Sequence, residues 1–187
     1  FPQWKTALIT NAATIMDQQV QQDILDVDFV LFKIDAATQK TFELINRPFK
    51  SILLKDIIEG IEDFKKHYRG KIALQMMFVE ANKHEALALA KIAVKIKPHE
   101  VQLNTPLRPC QQKPLSIEEI KDIKEIFIEK KMNNEQKSSF PVIKIDSVNA
   151  ALPFSFYDLG KNRVSDAFMV KSGTKKILAI RSAGKIQ

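Results

Sequence analysis

Hydrophobic and polar positions along the first two thirds of the chain follow two periodicities. Short apolar runs are typical of buried strands, and apolar residues recurring every three or four positions are typical of helices packed on a sheet. The clearest helical stretch is 52–68, with apolar side chains at 54, 57, 58, 61, 64 and 68. In chain order the pattern predicts strands at 7–10, 29–35, 71–79 and 101–104, and helices at 14–25, 36–45, 52–68, 85–96 and 116–132.

Residues at the helix ends support these boundaries. Asp35 stands directly before the second predicted helix and is a suitable N-cap. Gly70 follows the third predicted helix, where glycine commonly ends a helix. Ser116 and Glu119 have the spacing of a capping box, which predicts that the fifth helix begins at this point.

The strict alternation of strands and helices predicts an α/β fold whose parallel strands are joined by right-handed helical crossovers. A doubly wound sheet and an α/β barrel both fit this order. No GxGxxG or GxxxxGK[ST] motif follows a strand, so the sequence gives no support to a dinucleotide site or a P-loop.

The pattern changes after residue 132, which predicts a division of the chain. Residues 1–132 form the α/β unit, 133–140 are a polar linker, and 141–187 are a small basic segment. Short β-like runs at 142–146, 167–170 and 177–180 predict a small β-rich appendage that is too short to carry a large core of its own.

Charge and cysteine content narrow the function classes. The net charge is +7, from 29 Lys and Arg against 22 Asp and Glu, and most of the excess lies in 141–187. A basic tail is suited to bind RNA through the phosphates, although a solvated lysine-rich surface explains the excess of positive charge as well. The single cysteine excludes an internal disulfide and predicts a cytoplasmic protein, and no apolar run is long enough to cross a membrane.

Polar side chains recur near the carboxyl ends of successive predicted strands. Side chains two apart on a strand share a face. The pairs placed in this way are Lys33 with Asp35, Gln75 with Met77, and Gln102 with Asn104, and Asn11 follows the first strand. Ligand sites of α/β folds lie at this edge. Because burying an uncompensated lysine or amide is costly, these groups satisfy either one another or a polar ligand.

Five segments in order resemble the second part of a radical S-adenosylmethionine (SAM) domain. They are LITNAATI (8–15), FVLFKIDAATQKTFELINRP (29–48), IIEGIEDFKK (57–66), LQMMFVEANKHE (74–85) and VQLNTPLRP (101–109). The resemblance implies an incomplete parallel (βα) barrel, formed by strands three to six of a radical SAM-like partial TIM barrel. It also implies SAM and a [4Fe-4S] cluster at the carboxyl mouth of the complete oxidoreductase, where reductive SAM cleavage yields a 5′-deoxyadenosyl radical.

The same resemblance assigns roles to the polar residues. Lys33 and Asp35 would border the amino-acid and ribose parts of SAM, and Arg108 would face the substrate. The residues expected to bind the cofactor are Asn11, Lys33, Asp35, Gln75, Met77, Asn82, Gln102, Asn104 and Thr105. No catalytic residue is assigned.

The chain departs from the family pattern in its cluster ligands. The family motif is CxxxCxxC, whereas this sequence has only Cys110 and no GGE motif. With Phe1 in place of Met, this predicts a fragment whose N-terminal half is missing, inactive by itself and without tight cofactor binding. The alternatives are a non-catalytic fragment or binding module that retains the scaffold, and a member that binds RNA and modifies tRNA.

Overall fold

Strands and helices alternate along the chain as the hydrophobic pattern predicts. The computed structural model describes residues 5–106, 112–132, 142–145, 167–172 and 175–181, with side chains up to residue 129. Its elements are β1 (Thr6–Thr10), α1 (Gln18–Asp23), β2 (Phe29–Lys33), α2 (Gln39–Asn46), α3 (Leu54–His67), β3 (Lys71–Met77), a 3₁₀ turn (Lys83–Glu85), α4 (Ala86–Ile96), β4 (Glu100–Asn104), α5 (Ile117–Met132), β5 (Val142–Ile145), β6 (Ala167–Ser172) and β7 (Lys175–Arg181).

The described strands form one sheet in the order β5-β4-β3-β2-β1-β7-β6. The pairs β1–β2, β2–β3 and β3–β4 are all parallel, which confirms the parallel α/β fold predicted from the alternation. The order is linear, so the described strands do not close into a barrel.

The described helices α3, α4 and α5 pack on the same face of the sheet, which favours one of the two architectures that the sequence left open. Alternate residues of β2, β3 and β4 join a core cluster with α3, α4 and α5. The strand residues in this cluster, with those directly after the strands, are Val30, Phe32, Ile34, Ile72, Leu74, Met76, Phe78, Val101 and Leu103. A single helix layer is typical of a barrel segment, whereas a doubly wound sheet has helices on both faces.

Close packing of α3 secures the segment that follows β1. Phe64 of α3 is fully buried and stacks on Tyr68 with ring centroids 4.6 Å apart. Gly60 lies on the same helix, and a Cβ there would be 2.6 Å from Ile15 Cγ2. The missing side chain therefore allows residues 12–16 to lie directly against α3.

The three β-like runs of the C-terminal segment are strands β5, β6 and β7. β5 pairs in parallel with β4, β7 pairs in parallel with β1, and β6 pairs antiparallel with β7. Both edges of the four-stranded sheet of residues 6–104 are thus paired, although four strands alone would leave their edges free. The division into α/β unit, linker and appendage stays a prediction.

Two expected helix caps are wrong. Thr38, not Asp35, is the N-cap of α2, because β2 ends before a short loop and Thr38 Oγ1 accepts the Thr41 N–H at 3.2 Å. Tyr68, two residues before Gly70, is the C-cap of α3. None of the described helices has the length and apolarity needed to cross a membrane.

The capping box at the start of α5 is confirmed. The Ser116 N–H donates to Glu119 Oε2 at 2.9 Å, and the Glu119 N–H donates to Ser116 Oγ at 3.2 Å. We expect Ser116→Ala to lower the free energy of unfolding by about 1 kcal/mol, because an N-cap bond is lost. Urea unfolding measures this, and exposed Ser51→Ala is the control. Equal midpoints for the two variants would contradict the capping role.

Candidate functional site

The face of the sheet opposite the helices carries the polar residues predicted from the strand pattern. We call this the open face. Leu31 and Ala73 of this face are buried, and its half-buried side chains toward the carboxyl ends of β2, β3 and β4 include Lys33, Gln75, Met77, Glu100, Gln102 and Asn104. Lys33 lies in register with Gln75 and Gln75 with Gln102, and Met77 lies in register with Asn104. These polar side chains therefore lie at matching positions near the carboxyl ends of neighbouring strands, as the sequence predicted.

A chain of polar contacts crosses the open face from strand to strand. Lys33 Nζ lies 3.6 Å from Asp35 Oδ2 and 3.4 Å from Gln75 Oε1. Gln75 Nε2 donates to Gln102 Oε1 at 3.2 Å, and Gln102 Nε2 donates to Glu100 Oε1 at 2.7 Å. These groups satisfy one another to a large extent, which was one of the two alternatives for the stripe.

Asn104 differs from the rest of the open face. Its Oδ1 is buried and accepts no hydrogen bond from the described residues. A buried acceptor without a donor costs about 1–3 kcal/mol. The last residue of β4 therefore presents an acceptor suited to a donor from outside the described residues.

Asp35 lies just beyond the end of β2 and is 5% exposed. Its Oδ1 accepts the Met77 N–H at 2.9 Å, and its Oδ2 accepts from Asn46 Nδ2 at 3.0 Å. Lys33 is its ionic partner. Asp35 thus joins the ends of β2, β3 and α2, and Asn46 is a site residue that the sequence did not identify.

Asn82 has no exposed surface, and its side chain is used within the protein. Its Oδ1 accepts the Val79 N–H at 2.7 Å. Its Nδ2 donates to the Asp35 carbonyl at 2.7 Å and to the Met77 carbonyl at 2.9 Å. Both amide hydrogens are engaged, so Asn82 holds the strand ends together in this structure.

Two further predicted residues are not brought to the open face, and a third is not described. Thr105 is buried beyond β4, where its Oγ1 accepts the Leu115 N–H at 2.8 Å. Asn11 is exposed after β1, and its Oδ1 accepts the Ala13 N–H at 3.1 Å. Arg108 lies outside the described residues. The ligand roles of all three stay predictions.

Glu85 is a buried charged residue beside the loop after Asp35 that sequence reasoning missed. It is 6% exposed at the start of α4. Its Oε2 accepts the Ala37 N–H, and its Oε1 accepts from the hydroxyls of Thr38 and Thr41, all at 2.7 Å. Burial tends to raise the pKa of Glu85, but these hydrogen bonds outweigh it and lower the pKa.

The lowered pKa of Glu85 predicts a pH dependence of stability. A lowered carboxyl pKa stabilises the fold above the unfolded value of 4.5, and this contribution is lost as the pH falls through the lower folded value. We expect Glu85→Gln to destabilise by about 1 kcal/mol at pH 7, since bonds to a charged acceptor are stronger. Urea unfolding from pH 7 to 3.5 measures the difference, which should shrink below about pH 4.5. A constant difference would contradict this.

The donor set does not fit an iron–sulfur cluster. Within 5–106 and 112–129 no group of three His, Cys, Asp or Glu side chains is arranged to hold a metal ion. Cys110, the single cysteine of the sequence, lies outside the described residues. Clusters of this kind are held by several cysteine thiolates, so these residues alone cannot supply the set.

Curated relatives match about two thirds of the chain. An UPF0026 protein of Methanocaldococcus jannaschii is 37% identical over 129 residues, which cover 66% of this chain and 40% of the relative. A GTPase Obg of Brachyspira hyodysenteriae is 32% identical over 126 residues, covering 64% of this chain and 18% of that protein. The chain therefore spans less than half the length of either relative. No protein-family model matches it.

Solved structures share the fold at low sequence identity. A radical SAM methyltransferase from Sphaerobacter thermophilus is 12% identical with a TM-score of 0.54, covering 74% of this chain and 40% of that protein. SuiB of Streptococcus suis, solved bound to S-adenosylmethionine, is 12% identical with a TM-score of 0.58, covering 75% of this chain and 31% of SuiB. The chain has a radical SAM-like fold, and its sheet corresponds to part of such a scaffold.

Proposed function

We propose that this chain is the SAM-binding portion of a radical SAM oxidoreductase, with the open face as the cofactor surface. The observation that carries the proposal is the buried Asn104 Oδ1, which has no donor among the described residues. It lies at the carboxyl end of β4, the edge at which α/β folds bind ligands. The fold shared with SuiB, which binds SAM, adds support.

The residues present fit the polar groups of SAM. Adenine and ribose offer N–H and O–H donors, and Asn104 Oδ1 is an acceptor without a partner. The amino-acid part offers a carboxylate and an ammonium group, and Lys33 and Asp35 carry the opposite charges side by side. On this proposal Asn104 orients the nucleoside while the Lys33–Asp35 pair holds the charged end.

The proposed role of this chain is to bind and orient SAM. In a complete radical SAM enzyme, bound SAM supplies radical chemistry next to a reduced cluster. With one cysteine in the sequence, the chain cannot supply the cluster ligands by itself. Oxidoreductase activity is therefore proposed for a complete protein that contains this scaffold, and tight SAM binding is not expected from this chain alone.

Titration of the isotope-labelled 187-residue chain with SAM, followed by amide resonances, tests the proposal. We expect shifts at Lys33, Gln75 and Asn104 and unchanged resonances in α3, which lies on the other face. S-adenosylhomocysteine should shift the same residues, and adenosine alone should affect Asn104 more than Lys33. Unchanged resonances at millimolar SAM, or shifts spread over α3, would contradict the proposal.

The single cysteine favours a second candidate, a binding module that retains the scaffold without catalysis. The two candidates differ in the DNA that precedes the Phe1 codon. An in-frame CxxxCxxC segment there supports the oxidoreductase, and a start codon close to Phe1 supports the non-catalytic module.

A further inference from the structure

We propose that Glu85 is a positioning residue, which orients α2 so that Asn46 and the Asp35 carboxylate are held at the cofactor surface. This inference rests on the proposed function for its ligand. The geometric part concerns Asp35 and Asn46 themselves and is open to test without ligand.

The three groups that donate to Glu85 within the described part of the chain belong to the loop after β2 and the first turn of α2. Ala37 contributes its backbone N–H, and Thr38 and Thr41 contribute hydroxyls, each 2.7 Å from a carboxylate oxygen. Thr38 is also the N-cap of α2, so Glu85 binds the helix at its first turn. The N-terminal end of a helix favours a negative charge, which adds to these bonds.

The opposite end of α2 contacts Asp35. Asn46 is the last residue of α2, and its Nδ2 donates to Asp35 Oδ2 at 3.0 Å. An eight-residue helix is a rigid rod about 12 Å long. Loss of the hydrogen bonds between Glu85 and the first turn of α2 is therefore expected to move Asn46 relative to Asp35.

The loop that carries Glu85 holds the same segment at a second point. Asn82 donates to the Asp35 carbonyl at 2.7 Å, three residues before Glu85 in sequence. The backbone from Asp35 to Ala37 is thus fixed at the Asp35 carbonyl and at the Ala37 N–H, and Ala36 between them has no exposed surface.

The test compares Glu85→Gln with Asp28→Asn. Glutamine keeps the size of the side chain but loses the charge and one acceptor. Asp28 is a chemically matched control at the amino end of β2, because its Oδ2 accepts the Thr6 N–H at 2.7 Å and the Thr6 hydroxyl at 3.1 Å. Thr41→Val removes one hydroxyl donor at nearly constant shape and serves as a second variant if Glu85→Gln fails to fold.

Two readouts are taken on each full-length variant, together with urea unfolding. Without ligand, Glu85→Gln should move the Met77 amide resonance, whose N–H binds Asp35 Oδ1, and the Asn46 side-chain resonances. Asp28→Asn should move neither. With SAM, Glu85→Gln should weaken binding by about fivefold or more, the lower end of typical coupling between sites, with Thr41→Val in the same direction.

The outcomes separate the two proposals. Unmoved Met77 and Asn46 resonances overturn the positioning role, and so does wild-type SAM affinity in a folded Glu85→Gln variant. Equal loss of affinity in Asp28→Asn at equal stability also overturns it, because the effect is then general destabilisation. If the wild-type chain does not bind SAM, the proposed function fails, and the ligand-free spectra alone test the positioning role. Shifted Met77 and Asn46 resonances in Glu85→Gln then support that role, and unshifted resonances overturn it.

Discussion

Phe64→Ala is expected to lower the free energy of unfolding by about 3–5 kcal/mol, the usual cost of removing a buried phenylalanine from a packed core. Phe64 has no exposed surface. Its ring stacks on Tyr68 and meets the edge of Phe32 with centroids 5.9 Å apart. Phe32 belongs to β2, so the cavity would open between α3 and the centre of the sheet.

Phe49→Ala is the matched control for this substitution, since Phe49 is 72% exposed. Truncation of an exposed side chain is expected to change stability by less than about 0.5 kcal/mol. Urea unfolding of both variants measures the difference. A Phe64→Ala variant as stable as Phe49→Ala would mean that α3 does not pack on the helix-covered face as described.

Asp35→Ala is expected to destabilise the protein by about 2–4 kcal/mol, because buried donors would lose their acceptor. The Met77 N–H and the Asn46 amide both donate to this carboxylate, and Lys33 is its ionic partner. On the proposed function, SAM affinity falls as well, since the charged pair is broken.

Asp35→Asn serves as the comparison, because it keeps one oxygen for the Met77 N–H but turns an amide group toward Asn46 and Lys33. We expect an intermediate loss of stability. Urea unfolding and the SAM titration are performed on both variants. Unchanged SAM affinity in Asp35→Asn, with unchanged resonances at Lys33, would show that this strand end is not part of the cofactor surface.

Periodicity was sufficient to predict the parallel α/β fold. The stripe on 52–68 corresponds to α3, whose buried residues include Ile57, Ile61 and Phe64. The common height of Lys33, Gln75 and Gln102 followed from strand alternation, because neighbouring parallel strands end at the same edge. The sequence did not predict that the described helices α3, α4 and α5 pack on the same face of the sheet, because the order of strands and helices along the chain does not determine which face each helical crossover covers.

Long-range partners could not be predicted from local pattern. Glu85 is 44 to 48 residues from the groups that bind it, and it precedes a helix, where an acidic residue is ordinary. Asn46 is the last residue of a helix and lies in a largely exposed stretch, so the local sequence does not indicate Asp35 as its hydrogen-bond partner. The pairing of β7 with β1 joins strands far apart in sequence, and no local signal specifies such an edge.

The most direct test of the account is SAM binding and urea unfolding of Asn104→Ala, with exposed Gln22→Ala as control. The Asn104 Oδ1 accepts no bond in the described residues, so its loss should leave the free energy of unfolding unchanged or higher. SAM affinity should fall about tenfold, the equivalent of one lost hydrogen bond of about 1.4 kcal/mol. Lower affinity without lower stability is the result that the account predicts. Wild-type affinity in Asn104→Ala, or a wild-type chain that does not bind SAM at millimolar concentration, would contradict it.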